Sequence, residues 1–549
     1  MSRNSASCLV SVTQSSGVEL NVHLVLDEKP SRQDQKLKTL SQYVQQYASG
    51  WKKRLELANL LSAKGYWEQA VTEYRQIVER QPQLIDVWLK LGKLLQLMGR
   101  KAEAIEVYQS ARGSGSNQVI EQHITGLIAT CQGDTKKAIL AFETAANLEP
   151  NNAAHWLALG QLQIGRENPL AALRAFDEIL SLNPNDIVAL IHSYDALMAV
   201  GNIPQAQQQL DKLILLAADD LRVLQRHLDQ RCQIKLVSGE QGKLTKKMMS
   251  AALQQAPNAA DVHKSLAYYH IFRGDWAQGI KVLAEFTEKY PYNPNGWYHY
   301  GRCLFDTGEY QAAAEVMLKV YRLYPDDWEI YRALCEILPL SLTPPLARGA
   351  GEDLQMAEED NLFLASLVEE MLERFPERWS VWATAGRLLV ESFQEIKRGC
   401  SLSLRGTQLQ PQLADAWFCH GRVLALAGKH QKAVTALEKG WQLLPETGGY
   451  RQSVSAAVWL GESYQALGND RSSRQWWEEA CQGSEKFRLF HPVMADYWQG
   501  RALEGLGDAL GAIELYRNAL TQQLLYPVRD EVKHRIKRLR AKLRKRSRP

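Results

Sequence analysis

Two arrangements in this chain have residue types and spacing that could do chemistry. One is a thiol beside an imidazole, Cys419-His420. The other is an arginine directly after a glycine, at Gly301-Arg302, Gly386-Arg387, Gly421-Arg422 and Gly500-Arg501. A thiol–imidazole couple needs the two groups within hydrogen-bond reach. Neighbours on a helix point about 100° apart, so helix packing is the expected role of Cys419 and His420. The other cysteines are scattered without a CxxC, and the histidines form no ligand-spaced cluster. No nucleotide-binding glycine loop, HExxH or GxSxG is present. The expectation is therefore no catalytic residue, no cofactor and no metal, and a protein that is not an enzyme.

The arginines carry more information. A guanidinium binds a carboxylate as a two-pronged fork. Four residues before three of them stand Tyr298, Phe418 and Tyr497. Arg302, Arg387, Arg422 and Arg501 with these aromatics suit an extended, acidic or carboxylate-bearing segment. Ordinary intrahelical ion pairs compete with that reading, because Asp306, Glu391 and Glu504 follow three of the arginines by three or four residues. Arg422 has no such neighbour.

Charge is uneven along the chain. Its net value is +4, but from Arg529 onward eleven basic residues face two acidic ones, a local +9 that leaves −5 for the remainder. The overall balance excludes a globally basic nucleic-acid coat. Val532, Ile536, Leu539 and Leu543 form one stripe of a helix in this basic end, the pattern of a helix that covers the end of an array. Its other face (Arg538, Arg540, Lys542, Arg544, Lys545, Arg546) offers a second reading, binding of a nucleic acid or another anionic surface. No aromatic interleaves the basic residues, so base stacking lacks its side chains.

The elements that must position these residues are legible from a period. Ala70, Ala104, Ala138, Ala172 and Ala206 are 34 residues apart, and four residues after each come Tyr74, Tyr108, Phe142, Phe176 and Leu210. Ala58, Gly92, Gly126 and Gly160 keep the same interval, as do Trp88 and Trp156 four residues before two of those glycines. Pro82, Pro150 and Pro184 end units, and Gly65, Gly99 and Gly133 mark a turn inside them. Small residues let two helices approach, and the bulky residue fills the groove beside them. A period of this length with these residues resembles the tetratricopeptide repeat, a helix–turn–helix unit. Units are expected to start near 51, 85, 119, 153, 187, 226, 260, 294, 328, 379, 414, 454 and 493, thirteen in all, with five extra residues before the unit near 226.

The resemblance implies an all-α helix–turn–helix solenoid, a right-handed superhelix with a C-terminal capping helix. The expected organisation is an irregular or short β arm over 1–35, repeats over 36–225, 226–337 and 358–526, a Pro/Gly-rich loop over 338–357, and the basic capping helix and tail over 527–549. It also implies that the ninth residue of each unit, where the four arginines stand, faces the concave groove that holds peptides. The carboxylate clamp of some family members is not matched, since its Lys and Asn positions hold Leu55 and Asn59 in the first unit, with Lys90 in the second. The expected function is a non-catalytic interaction scaffold for a protein or peptide partner, in complex assembly or as an accessory factor. Scattered thiols, no apolar leader at the start and no membrane-length apolar run point to a cytoplasmic protein.

Overall fold

In the computed structural model the described residues are 7–13, 19–25, 32–47, 50–63, 66–98, 100–114, 117–291, 293–324, 327–341, 352–444 and 450–546. Among them lie 28 helices. One, Arg32–Gln46, precedes the repeats, and one, Val528–Arg546, follows them. The other 26 form thirteen helix pairs between Trp51 and Thr521. The fold is all-α, a solenoid of stacked helix pairs. The exception is a hairpin at the start, where β1 (Ser7–Thr13) and β2 (Glu19–Val25) pair antiparallel with Ser7 opposite Val25.

The repeated contact is physical and uniform. A β-carbon added at Gly92, Gly126 or Gly160 would lie 2.3–2.6 Å from the ring of Tyr108, Phe142 or Phe176, sixteen residues on. The same spacing joins Gly461 to Trp477, Gly500 to Tyr516 and Gly421 to Leu437. Without a side chain on the first helix, the ring of the second can lie flat against its backbone. The unit from Trp379 solves the problem differently. Gly386 and Gly399 each face the other's carbonyl oxygen, at 2.6 Å from an added β-carbon, so two backbones touch directly.

The tryptophans have an equally regular task. Trp88, Trp156, Trp297, Trp382 and Trp417 each donate their indole N–H to the carbonyl of the proline six residues earlier, at 2.8–2.9 Å. A part-buried indole must place its N–H somewhere. Here it pins the turn that joins one unit to the next. Gly133 ends its helix in the left-handed region at φ 77°; Gly65 and Gly99 lie outside the described residues.

Three boundaries differ from expectation. The sixth unit begins at Leu221, not near 226; its extra residues fall in the turn between its helices and in a long second helix, Gly239–Gln255. The loop expected over 338–357 is helical at both edges, because Trp328–Ser341 runs through Pro339 and Glu352–Arg374 has already begun. Pro339 stands in a last turn, where its missing N–H deprives a single carbonyl of a partner. Residues 342–351 lie outside the described residues.

The chain divides into two compact bodies, residues 1–196 with 209–223 and 252–259, and residues 197–208 with 224–251 and 260–549. In the first, Leu40 and Val44 of the leading helix cover Leu57 and Leu61 of the first unit. In the second, the segment after the last unit returns to the units that start at Ala260 and Pro294. The Tyr526 N–H donates to the Asp306 carbonyl at 3.0 Å, and the Trp276 indole donates to Gln523 at 2.9 Å. The Tyr526 ring meets Trp276 and Tyr310 edge-on, and Leu525 packs with Ile271 and Val282. Gly308, at φ 92°, gives that ring room. Beyond this contact the closing helix buries Val532, Ile536 and Leu539, with Leu543 partly covered.

The uniform contact predicts the effect of filling it. Gly160→Ala gains about 1 kcal/mol of helix propensity but overpacks Phe176 at a cost of about 1–3 kcal/mol, so the thermal midpoint should fall. Adding Phe176→Leu to the same chain should restore it. Ala172→Trp, at a fully buried contact, should lower the midpoint further; unchanged melting would contradict the register.

Candidate functional site

The ninth residues of the units, counted from the starts at 221, 260, 294, 328, 379, 414, 454 and 493, lie on first helices and read Asp229, Tyr268, Arg302, Glu336, Arg387, Arg422, Glu462 and Arg501. The same interval reaches Arg535 on the closing helix. These side chains meet across neighbouring first helices. Arg302 donates to Glu336 at 2.7 Å, which displaces Asp306, four residues on, to 3.8 Å. Arg501 hydrogen-bonds Glu462 of the preceding unit and the Tyr497 hydroxyl. Arg387 keeps its intrahelical partner Glu391 at 2.9 Å. Arg422 lies 3.7 Å from Glu462. Glu504 pairs with Arg535 and Arg538 of the closing helix, not with Arg501.

The electrostatics follow from these partners. Burial pulls the Arg302 pKa down, but Asp306 and Glu336 outweigh it and leave the guanidinium raised. Arg501 behaves alike, with Tyr497 and Glu462 as its stabilising neighbours. Arg422 goes the other way. Burial lowers its pKa, Glu462 only partly opposes this, and Arg501 repels it. Glu336 is held low, because Arg302 and Arg332 overcome the cost of burying it.

Two of the expected aromatics are not on this face. Phe418 is 2% exposed, packed against Val434 and Leu437, and Tyr497 is 3% exposed, its hydroxyl tied to Glu531 and Arg501. Phe418 lies against Gly440 of the second helix, and Tyr497 is held in the interior by its bonds to Glu531 and Arg501. Tyr298 is half-buried. The aromatics beside the arginines are instead Trp459 and Trp498, edge-to-face at 6.0 Å. Arg422 stands 5.6 Å from the Trp459 ring and Arg501 5.2 Å from Trp498. Glu336, Glu462, Trp459 and Trp498 were all missed by the sequence reading. For the two glutamates a signal existed, since they occupy the arginines' own lattice position.

His420 takes no part in a couple with Cys419. Its Nδ1 faces the Ser403 hydroxyl of the neighbouring helix at 2.8 Å, and burial lowers its pKa to about 4. Burial likewise raises the Cys419 thiol to about 12. His123 and His155 meet at 2.9 Å in the interior, with His123 also lowered to about 4. Among the described residues no cluster of three His, Cys, Asp or Glu is placed to hold a metal, and no helix is long and apolar enough to cross a membrane. On the closing helix, Arg540, Lys542 and Arg544 are exposed, Arg538 is bonded to Glu504, and the side chains of Lys545 and Arg546 lie outside the described residues.

Two measurements test this account. Glu462→Gln removes the acid from a guanidinium that is 8% exposed and should cost about 2–4 kcal/mol, whereas Glu391→Gln breaks a half-exposed pair worth about 0.5 kcal/mol. Chemical denaturation of the two variants separates these values. For His123 and His420 the folded pKa lies below the unfolded one, so the unfolded chain binds protons first. Stability should be constant above about pH 7 and fall from pH 6.5 toward 4, by roughly 3 kcal/mol per histidine, and His420→Gln should flatten part of that slope.

The chain matches the family model of the tetratricopeptide repeat over residues 55–118, 131–187 and 264–327. It is 29% identical over 112 residues to the human cilia- and flagella-associated protein 70, a stretch that covers 20% of this chain and 10% of that protein. Among solved structures it is similar to yeast Tom70, with 13% identity over 85% of this chain and 98% of that one and a TM-score of 0.37. YrrB, described as a TPR protein with an unusual peptide-binding site, aligns over 35% of this chain and 98% of its own, with 18% identity and a TM-score of 0.22. The first two matches hold a glycine–ring contact and an indole pin, the third holds the Trp297 pin with Met317 in place of a ring, and the same devices recur in units the family model leaves unmatched. The chain therefore contains tetratricopeptide repeats over the three matched stretches, 55–118, 131–187 and 264–327.

Proposed function

We propose that this protein is a non-catalytic interaction scaffold that holds a protein or peptide partner along the face of its first helices, as an assembly or accessory factor in the cytoplasm. One observation carries the reading. Arg302, Arg387 and Arg422 keep part of their surface open to solvent at one repeated position in the second body. Side chains repeated at helix-to-helix spacing suit an extended segment, which presents its own groups at regular intervals. Charged neighbours keep the face wet, so recognition would rest on forked carboxylate bonds more than on apolar burial.

The second reading, binding of a nucleic acid or anionic surface through the basic end, draws on the exposed Arg540, Lys542 and Arg544. It is weaker, because the closing helix spends Arg535 and Arg538 on Glu504 and its apolar stripe on the last unit.

Affinity capture with the full chain tests both. Arg387→Glu combined with Arg422→Glu should cut partner recovery while helical circular dichroism stays unchanged; equal recovery removes the arginines from the account. Neutralising Arg540, Lys542, Arg544, Lys545 and Arg546 to Gln keeps the buried stripe. Recovery lost through that change, and falling steeply between about 50 and 200 mM salt, would favour the second reading.

A further inference from the structure

The ladder of ninth-position charges has one rung whose guanidinium is left over. From Arg387 to Arg501 it holds three arginines, served by two carboxylates, Glu391 and Glu462. Arg387 hydrogen-bonds Glu391, and Arg501 hydrogen-bonds Glu462. A guanidinium carries five N–H donors in a fixed fork. Among the described residues Arg422 directs none of them into a hydrogen bond; its approach to Glu462 is 3.7 Å, and that carboxylate already accepts from Arg501. It is also 31% exposed, so its donors are reachable. Beside it are the Trp459 ring, at 5.6 Å, and Trp498 beyond.

We infer that Arg422 is the docking point for a single carboxylate of an extended peptide partner, which completes the ladder with the neighbouring peptide atoms lying on Trp459 and Trp498. This rests on the scaffold reading and names the chemistry of its partner. The charge count selects the ligand. Arg422 is the guanidinium of the three without a hydrogen-bonded carboxylate, and it is bordered by Glu391 and Glu462. A single carboxylate on an otherwise neutral segment neutralises it. A nucleic-acid strand would bring evenly spaced phosphates against both flanking acids, at a repulsive cost. The indole faces suit the aliphatic or aromatic residue beside the acid.

The test uses the full chain and named probes. Arginine modification by phenylglyoxal, read by mass spectrometry, should proceed several-fold faster at Arg422 than at Arg302 or Arg501. Millimolar acetyl-Gly-Gly-Glu-Gly-Gly-amide should protect Arg422, and its Gln counterpart should not. Gly-Gly-Gln-Gly-Gly with a free C-terminus tells a terminal carboxylate from a side-chain one, since protection by it alone assigns the terminal group. Arg422→Gln should weaken binding of the protecting peptide about tenfold with the thermal midpoint unchanged, and Arg422→Lys, which keeps charge without the fork, should recover only part.

Equal modification rates at the three arginines would overturn the inference. So would equal protection by the Glu and amidated Gln peptides, or better protection by oligothymidylate. Partner capture that needs Arg302 and Arg387 but ignores Arg422→Gln would defeat this inference and leave the scaffold standing. Capture indifferent to every first-helix substitution would defeat the scaffold itself.

Discussion

The stacking of these helix pairs depends on a small residue of the first helix meeting a bulky one of the second, most often glycine against a ring sixteen positions later. The contact sets how close two helices of a unit come, because the distance is limited by backbone on one side and a flat ring on the other. Once that spacing is constant, each unit presents the same surface to the next, and stacking can continue along the chain. Where the glycine–ring pair is absent, as in the unit from Trp379, a second glycine keeps the backbones close. The device changes and the geometry persists.

The indole pins act on the other joint. The ring contact fixes helix against helix within a unit, and the bond from tryptophan to the earlier proline carbonyl fixes one unit against the previous one. Each such bond contributes only about 1 kcal/mol, but it satisfies a carbonyl in a turn that has no helical partner for it. The second body also has a long-range contact. The segment around Tyr526 returns to the units at Ala260 and Pro294, and this closure holds the last helix where its apolar stripe is covered.

Polar side chains on the first-helix face obey a different economy. Each is partly desolvated by neighbouring helices, so a lone charge there is costly. Most find a partner one unit away: Arg302 with Glu336, Lys264 with Asp229, Tyr497 with Glu531, Gln452 with Asp415. These bonds stitch the units along a second line, independent of the apolar one. They also mean that the arginines do not form the open cationic track that composition alone suggests. A ligand meets an almost neutral wall, and Arg422 is the place where neutrality fails.

The amino-acid sequence by itself determined the period, the number of helix pairs, the residues at the small and bulky positions and the apolar stripe of the closing helix. Those follow from spacing, because helical periodicity decides which side chains share a face. It also placed the arginines on one face, and it contained Glu336 and Glu462 at the same register. Only the tertiary structure decided what that face can do. Whether a guanidinium is paired depends on the distance to a residue 34 to 40 positions away, which helix separation sets and local spacing does not. Phe418 and Tyr497 show the same limit: their register suggested the ligand face, but close helix approach drew both rings inside. The contact of Tyr526 with Gly308 and Trp276 had no local signature, because it joins segments more than two hundred residues apart through the accumulated angle of many units.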